Sequence, residues 1–270
     1  MRYFAGLIAF GFAATSLSVA PGLPTDTHTS DFGCVGFFGG ASAVLVGPDL
    51  ILTAKHVSGL SVNFPGLGTF SAINGTVREH PTDDLKLFRI NTGSITLSNY
   101  AQINTASVAA NTGVTMVGFG GSGSVNLAGT GYDIYIGAGT RRKASAIVEG
   151  KVYVEEPGVL KLHSLYAPLR SNGQGALVGG DSGGGWFLND GSARPQLVGI
   201  NSWIGTFGTY NSNFTFSNDP NNFFASGAAD LSAYNGWLVQ NGASVVPEPG
   251  TLTALAVGSL LAIRRRRRTS

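Results

Sequence analysis

Short apolar runs separated by glycine, asparagine, proline and serine are the feature that most limits what this chain can fold into. Such segments, bounded by turn residues, are typical of β-strands, and the 40 glycines supply the backbone freedom that tight turns need. The clearest runs cover residues 43–46, 50–53, 85–90, 114–119, 146–154, 176–178 and 197–200. The best helical period lies at 230–240, where Leu231, Tyr234 and Trp237 share a face. The sequence therefore predicts an all-β fold, a sandwich or barrels, with one C-terminal helix.

Residues 1–20 have the pattern of a secretory signal peptide. Arg2 provides a positive start, residues 3–14 are almost entirely apolar or glycine, and small residues stand at 18–20, where signal peptidase would read them. We therefore expect export and removal of this segment. An uncleaved N-terminal anchor is the alternative interpretation.

The C-terminal end joins three elements in a fixed order. Pro-Glu-Pro at 247–249 precedes an apolar run at 251–263, and five arginines follow at 264–268. The run is shorter than the roughly 20 residues that span a bilayer. The order resembles the PEP-CTERM sorting signal of Gram-negative bacteria. That resemblance implies transient contact with the inner membrane, cleavage near 247–249 by an exosortase, and delivery to the cell surface or extracellular matrix. A plain weak membrane anchor is the alternative.

The net charge changes when both ends are set aside. The whole chain carries 17 basic and 15 acidic residues, a formal charge of +2. Without Arg2, Glu248 and the five terminal arginines, 11 basic and 14 acidic residues remain, a charge of −3. A broad basic surface is not expected, so nucleic-acid binding loses its main support. The single cysteine, Cys34, excludes an internal disulfide framework and a multi-cysteine metal site.

Three motifs contain the residue types of nucleophilic catalysis. Glycines surround Ser182, an apolar run ends shortly before His56, and Asp83 and Asp84 open an alternating strand. A serine nucleophile needs a base to accept its proton, and that base needs a carboxylate to fix its tautomer. The backbone N–H groups of Gly180 and Ser182 could also donate to a developing oxyanion. The glycine-serine-glycine spacing also fits the nucleophile elbow of α/β-hydrolases, but that fold needs a histidine after the serine, and all four histidines precede Ser182.

Together these motifs resemble those of the trypsin- and chymotrypsin-like serine proteases. Thr-Ala-Lys-His at 53–56 is similar to the family's Thr-Ala-Ala-His, and Asp-Leu-Lys-Leu at 84–87 is similar to Asp-Ile-Ala-Leu. Gly-Asp-Ser-Gly-Gly at 180–184 matches the family motif fully. Further similarities lie at 117–120, at 197–203 and in the C-terminal helix, so the resemblance extends over about residues 33–241.

The resemblance implies two six-stranded antiparallel β-barrels with the active site in the cleft between them. It implies a serine endopeptidase that cleaves protein or peptide substrates through an acyl-enzyme and needs no metal or cofactor. Ser182 would be the nucleophile, His56 the general acid and base, and Asp84 the orienting carboxylate, with Asp83 as the alternative. The N–H groups of Gly180 and Ser182 would form the oxyanion hole.

The resemblance also suggests where substrate specificity lies. Ala176 would form the base of the pocket, Ser202, Trp203 and Ile204 one wall, and Ser226 the other. Because no acidic residue stands at the base and Ile204 is bulky, we expect small or medium apolar P1 residues such as alanine or valine.

The expected organisation has three parts. A signal peptide covers 1–20, a protease-like domain covers 21–241 with its barrels crossing near 120–140, and a linker with the sorting segment covers 242–270. Lys55 replaces a motif alanine, and no Ile-Val-Gly-Gly activation sequence follows the signal peptide. These departures leave two alternatives open, a surface or matrix binding protein with little activity and an esterase on the same fold.

Overall fold

The computed structural model describes residues 32–125, 132–156, 160–169, 175–207 and 223–246. The predicted signal peptide lies outside the described residues, as do the Pro-Glu-Pro motif, the apolar run and the arginines after it. In the part of the chain that is described, no helix is long and apolar enough to cross a membrane.

The N-terminal sheet contains seven strands. They are β1 Val35–Phe38, β2 Ala41–Leu45, β3 Leu50–Thr53, β4 Ser61–Phe64, β5 Gly68–Ser71, β6 Arg78–Glu79 and β7 Lys86–Arg89. Their spatial order is β5-β4-β1-β2-β3-β7-β6, and neighbouring strands are antiparallel. A bridge between Ala72 and Ile90 joins the chain just beyond β5 to the chain just beyond β7. The sheet therefore curls back on itself towards a barrel.

The second sheet contains nine strands, and a separate hairpin stands beside it. The strands from here on are β8 Gln102–Asn104, β9 Gly113–Gly118, β10 Ser122–Val125, β11 Tyr132–Ile136, β12 Arg142–Ile147, β13 Gly150–Glu156, β14 Leu160–Pro168, β15 Gly185–Leu188, β16 Gln196–Phe207, β17 Phe223–Asp230 and β18 Val245–Val246. The main order is β12-β9-β15-β16-β17-β14-β13. Strand β8 pairs in parallel with β16 and β18, and β10 pairs with β11 to form the hairpin.

This architecture confirms the prediction of a mostly β fold made of two barrel-like sheets and a short C-terminal helix. One apolar core fills the N-terminal sheet and continues into the second, since Leu52 and Phe88 share a cluster with Phe119 and Ile200. A smaller core centred on Trp186 lies within the second sheet. The contact between the sheets is therefore itself apolar and closely packed, which holds them together.

The chain passes between the sheets earlier than predicted. Strand β7 ends at Arg89 and β8 begins at Gln102, so the crossing lies within 90–101 and not near 120–140. The reason is the pairing of β9, because it bonds to β12 and β15 and so already belongs to the second sheet.

Two predicted strands differ in the structure. The run at 146–154 is divided between β12 and β13, because β12 pairs with β9 while β13 pairs with β14. The run at 176–178 is not a strand, because side chains bind its backbone. The Leu177 N–H donates to Ser226 Oγ at 2.8 Å, and the Val178 N–H donates to Asp181 Oδ2 at 2.9 Å.

The C-terminal helix forms where predicted but begins with a tighter turn. A 3₁₀ turn, Leu231–Tyr234, precedes helix α1, Asn235–Gln240, and the Asp230 carboxylate accepts a bond from the Ser232 N–H at 3.1 Å. Such a cap satisfies one of the N–H groups that a helix start leaves free.

The predicted linker does not begin at 242, because β18 pairs with β8 and Ala243 is buried in the core. Residues 242–246 are therefore part of the folded domain.

Candidate active site

The pairing of β3 with β7 brings His56 and Asp84 together. Thr53, at the end of β3, lies opposite Lys86, at the start of β7. His56 follows Thr53 by three residues, and Asp84 precedes Lys86 by two. Because the strands are antiparallel, both residues leave the sheet at the same edge. Two segments that are distant in sequence thus meet through an ordinary strand pair.

The Asp84 carboxylate is the centre of a dense set of hydrogen bonds. The His56 ring nitrogen Nδ1 lies 2.9 Å from Asp84 Oδ2 and 3.0 Å from Oδ1, and the His56 backbone N–H also donates to Oδ1 at 3.0 Å. The Ser202 hydroxyl donates to Oδ2 at 2.5 Å. Burial to 6% exposure disfavours the charged carboxylate, but the bonds from His56 and Ser202 outweigh burial and hold the pKa of Asp84 below its usual value. Asp84 therefore stays ionised beside His56.

Asp83 points to the C-terminal helix. The Tyr234 hydroxyl donates to Asp83 Oδ2 at 2.8 Å, and the Asp83 backbone N–H donates to Nδ1 of His80 at 3.0 Å. The His80 ring meets the Tyr234 ring edge-on, and burial lowers the pKa of His80, which keeps it neutral as an acceptor. The structure thus brings Asp84, and not the alternative Asp83, to His56.

Ser182 sits on a glycine-rich loop that the first sheet holds in place. Gly180 and Gly183 on either side have φ values of +96° and +80°, which L side chains rarely adopt. The backbone N–H of Ser42, on β2, donates to the Ser182 carbonyl at 2.9 Å, and the Ser42 hydroxyl donates to the Gly180 carbonyl at 3.0 Å. No local sequence pattern predicts this role of Ser42, because a serine inside an apolar strand carries no sign of such a contact.

Three polar groups on this loop have no protein partner among the residues that are described. The N–H groups of Gly180 and Ser182 donate to no protein acceptor there, and the Ser182 hydroxyl makes no hydrogen bond to His56. Ser182 is partly exposed, and the His56 side chain is 45% exposed. The loop therefore presents a hydroxyl and two backbone donors on an accessible face.

Asp181 anchors the same loop from inside. Its fully buried carboxylate accepts bonds from the Gly120 N–H at 2.7 Å and the Val178 N–H at 2.9 Å. Burial raises the pKa of Asp181 to about 7, against the opposing effect of those bonds and of nearby Arg142. A Cβ at Gly120 would come within 2.5 Å of this carboxylate, which explains the glycine in the predicted 117–120 motif. Local groups therefore satisfy Asp181.

A small cavity of about 70 Å³ opens beside Ser182. Its lining consists of Ser182, residues of the segment that leads to it, and residues of β16, namely Leu177, Val178, Gly179, Ser182, Ser202, Trp203 and Ile204. No charged side chain is among them.

The cavity includes three of the five predicted pocket residues. Ser202, Trp203 and Ile204 line it, whereas Ala176 and Ser226 are fully buried and do not. The Ser226 hydroxyl accepts the Leu177 N–H, so it lies behind the wall and holds it. Leu177 and Val178, which follow Ala176 in the chain, line the cavity instead, a loop arrangement that residue counting from Ser182 could not reveal.

Metal-ligating side chains and the single thiol are the remaining groups to place in the described ranges. They contain no group of three or more His, Cys, Asp or Glu side chains that could hold an ion. Cys34 is buried, and burial raises the pKa of its thiol to about 12, so it is not a reactive thiolate.

Comparison with known proteins gives a family and a fold. A protein-family model described as Trypsin matches residues 24–218, well over half of the chain. Neuropsin, a serine protease expressed in the limbic system of mouse brain, is 19% identical, with a TM-score of 0.54 over 80% of this chain and 97% of that one. The inactive form of the Rv3671c protease is 14% identical, with a TM-score of 0.51 over 79% of this chain and 91% of that one. These structures support the fold alone, and no curated protein matches the chain.

Proposed function

The chain belongs to the trypsin family of serine endopeptidases, and from this premise we propose that it cleaves peptide bonds through Ser182, His56 and Asp84. The observation that carries the proposal is that Ser202 contacts both parts of the site. Its hydroxyl donates to Asp84, which binds His56, and Ser202 lines the same cavity as Ser182. Ser202 therefore links the pair of His56 and Asp84, next to the first sheet, to the cavity that Ser182 lines.

The geometry around His56 suits a general base. Because Asp84 accepts the Nδ1–H bond, the other ring nitrogen, Nε2, is free to accept a proton from Ser182. The Ser182 oxygen then attacks the peptide carbonyl carbon, and an electron pair moves onto the carbonyl oxygen. The bond between Ser182 and His56 forms when substrate enters, since such bonds often tighten only in the complex.

The loop backbone would stabilise the negative charge that follows. The N–H groups of Gly180 and Ser182 have no acceptor among the described residues, so they can donate to the oxyanion. When the carbonyl re-forms, the C–N bond breaks and His56 gives its proton to the leaving amine. Water then attacks the acyl group on Ser182, and His56 repeats its role as base and acid.

A serine-directed probe tests this proposal. We expect a fluorophosphonate to label the wild-type protein and Ser182→Ala to abolish both labelling and casein hydrolysis, with a loss in kcat on the order of 10⁶-fold. Ser192→Ala is the matched control, because Ser192 is exposed and its hydroxyl only accepts a bond from Gln196. Labelling that persists in Ser182→Ala would refute the assignment. Folded wild-type protein without labelling would favour the binding-protein alternative, and turnover of short acyl esters without casein would favour an esterase.

We further propose that the enzyme prefers small or medium apolar P1 residues. Leu177, Val178 and Ile204 give the cavity an apolar lining without a carboxylate to bind lysine or arginine. Ile204 is 42% exposed, so we assign it to the mouth of the cavity, where it limits the size of the side chain that enters.

Peptides that differ only at P1 test this preference. Alanine and valine peptides should have the higher kcat/KM, and Ile204→Gly should shift the ratio toward leucine and phenylalanine by about 10-fold or more. A wild-type preference for arginine or lysine would contradict the proposal.

We also propose that the protein is exported to the surface or matrix of a Gram-negative bacterium. The signal-like residues 1–20 and the order of elements at 247–268 support this proposal, with signal peptidase and an exosortase as processing enzymes. Intact-mass measurement of the exported protein should find ends near residue 20 and near 247–249. A retained tail would instead support the membrane-anchor alternative, and a full-length cytoplasmic protein would overturn export.

A further inference from the structure

Two lysines occupy positions where the resembled motifs have alanine. Lys55 stands directly before His56, and Lys86 stands two residues after Asp84. Both side chains contact the chain around the active site. The Lys55 ammonium donates to the His80 carbonyl at 3.0 Å and lies 3.8 Å from the carboxylate of Glu79. Lys86 points inward, and its ammonium contacts the residues directly before and after His56 in the chain.

The Lys86 ammonium binds the backbone on both sides of His56. It donates to the Lys55 carbonyl at 3.3 Å and, more closely, to the Val57 carbonyl. Lys86 is only 7% exposed, and its ammonium lies 6.0 Å from the centre of the Phe38 ring. Hydrogen bonds from a charged donor are roughly twice as strong as neutral ones. A buried cation thus fixes the peptide groups on either side of His56.

Other contacts of the His56 segment are the buried side chains of Ala54 and Val57 and a few backbone hydrogen bonds. The segment lies beyond the end of β3. Within its turn, the Val57 N–H donates to the Ala54 carbonyl at 3.2 Å. The bond from the His56 N–H to the Asp84 carboxylate holds the backbone at His56. Without Lys86, the carbonyls before and after His56 would lose their charged donor, and the imidazole could move relative to Ser182.

We propose that Lys86 is a positioning residue for His56, which holds the imidazole in its catalytic orientation by binding the carbonyls of Lys55 and Val57. The inference rests on the proposed function, since it concerns how the same site is kept in order. Lys86 thereby has a role at a position where the resembled motif has alanine.

The charge on Lys86 makes the contact sensitive to alkaline pH. Burial lowers the pKa of Lys86, although Glu79, opposite it in the sheet, and Asp84 oppose this shift. The same two carboxylates have other partners, since the Lys55 ammonium lies near Glu79 and the His56 imidazole bonds to Asp84. As pH rises, the ammonium loses its proton earlier than an exposed lysine does, and the two carbonyls lose their charged donor. We therefore expect kcat to fall at alkaline pH.

Three variants test the proposal. Lys86→Met should lower kcat by about 10- to 100-fold with little change in KM, because a small displacement of a catalytic group has effects of this size. Lys86→Arg should restore most of kcat and move the alkaline fall to higher pH, since the guanidinium keeps its proton. Lys143→Met is the control, because the Lys143 ammonium lies over the Phe32 ring at 5.5 Å, away from these contacts.

The outcomes separate this inference from the proposed function. An active wild type together with an unaffected Lys86→Met, or an alkaline fall unchanged in Lys86→Arg, overturns the role of Lys86 alone. Should Lys86→Met fail to fold by circular dichroism, the comparison of Lys86→Arg with wild type decides. A folded wild type that fluorophosphonate does not label overturns the proposed function, and the role of Lys86 with it.

Discussion

At the scale of single residues, Asp83 and Asp84 have adjacent places in the sequence but different environments. Asp84 accepts bonds from His56 and Ser202, whereas Asp83 accepts a bond from Tyr234 on the C-terminal 3₁₀ turn. Both residues lie in the bend before β7, where the Asp84 carboxylate faces His56 and the Asp83 carboxylate faces the C-terminal 3₁₀ turn. The direction of each side chain, and not its chemistry, separates their roles.

Amide substitution should separate the two roles. Asp84→Asn should lower kcat on the order of 10⁴-fold near neutral pH, because the amide favours the wrong His56 tautomer. Asp83→Asn should keep kcat within several-fold of wild type but lower the melting temperature, because the buried Tyr234 hydroxyl loses a charged acceptor. Measurements of kcat and Tm on both variants check this. The reverse pattern would return the catalytic role to Asp83.

At the scale of elements, one glycine allows the Ser182 loop to lie against the N-terminal sheet. Gly183 has φ +80°, and a Cβ there would stand 2.1 Å from Thr53 Oγ1 and 2.2 Å from the Ser42 carbonyl. Thr53 and Ser42 are themselves joined by a bond from the Thr53 hydroxyl to that carbonyl at 2.9 Å. The contact between the loop and strands β2 and β3 therefore has no space for a side chain.

Gly183→Ala should destabilise the protein by about 3 kcal/mol or more, because backbone strain and a clash with backbone atoms add together. Gly191→Ala is the matched control. It also has a positive φ, +71°, but nothing lies within 4 Å of its Cβ position, so only the conformational term of about 1–2 kcal/mol applies. Urea unfolding of both variants measures the difference. Equal losses would mean that the packed contact adds nothing.

At the scale of the whole molecule, two buried carboxylates respond to pH in opposite directions. Asp84 has a lowered pKa, so its contribution to stability is present above the unfolded value of 3.8 and is lost as pH falls through the folded value. Asp181 has a pKa raised to about 7, so the folded state holds its proton between pH 3.8 and about 7 while the unfolded state does not. Stability from Asp181 therefore falls as pH rises through that window.

Thermal unfolding between about pH 4 and 8 tests the effect of Asp181. Relative to Asp181→Asn, the wild-type Tm should fall as pH rises from 4 toward 7, because only the wild type has the titrating carboxyl. A constant offset between the two, caused by lost bonds to Gly120 and Val178, does not affect this slope. Asp190→Asn, at an exposed carboxylate, should follow the wild type. Parallel curves for wild type and Asp181→Asn would show that Asp181 does not titrate in this range.

Local sequence patterns were enough to predict the fold class and the C-terminal helix. Apolar runs bounded by turn residues are short-range signals, and residues 50–53 form a strand with the predicted limits. The patterns misplaced the passage between the sheets, because the pairing of β9 with β12 and β15 depends on partners distant in sequence. They also assigned 242–246 to a linker, since two residues that extend a sheet carry no period of their own.

The sequence by itself determined the chemistry available at the site, because a serine among glycines, a histidine and an acidic pair are visible as residue types in order. The tertiary structure decided which acid faces His56, which side chains line the cavity, that Ser202 bonds to Asp84, and that Ser42 and Lys86 contact the site. The meeting of His56 and Asp84, for example, follows from the register that places Thr53 opposite Lys86. Register depends on packing between distant segments, and a side chain's direction alternates with each residue, so neither can be read from a local motif.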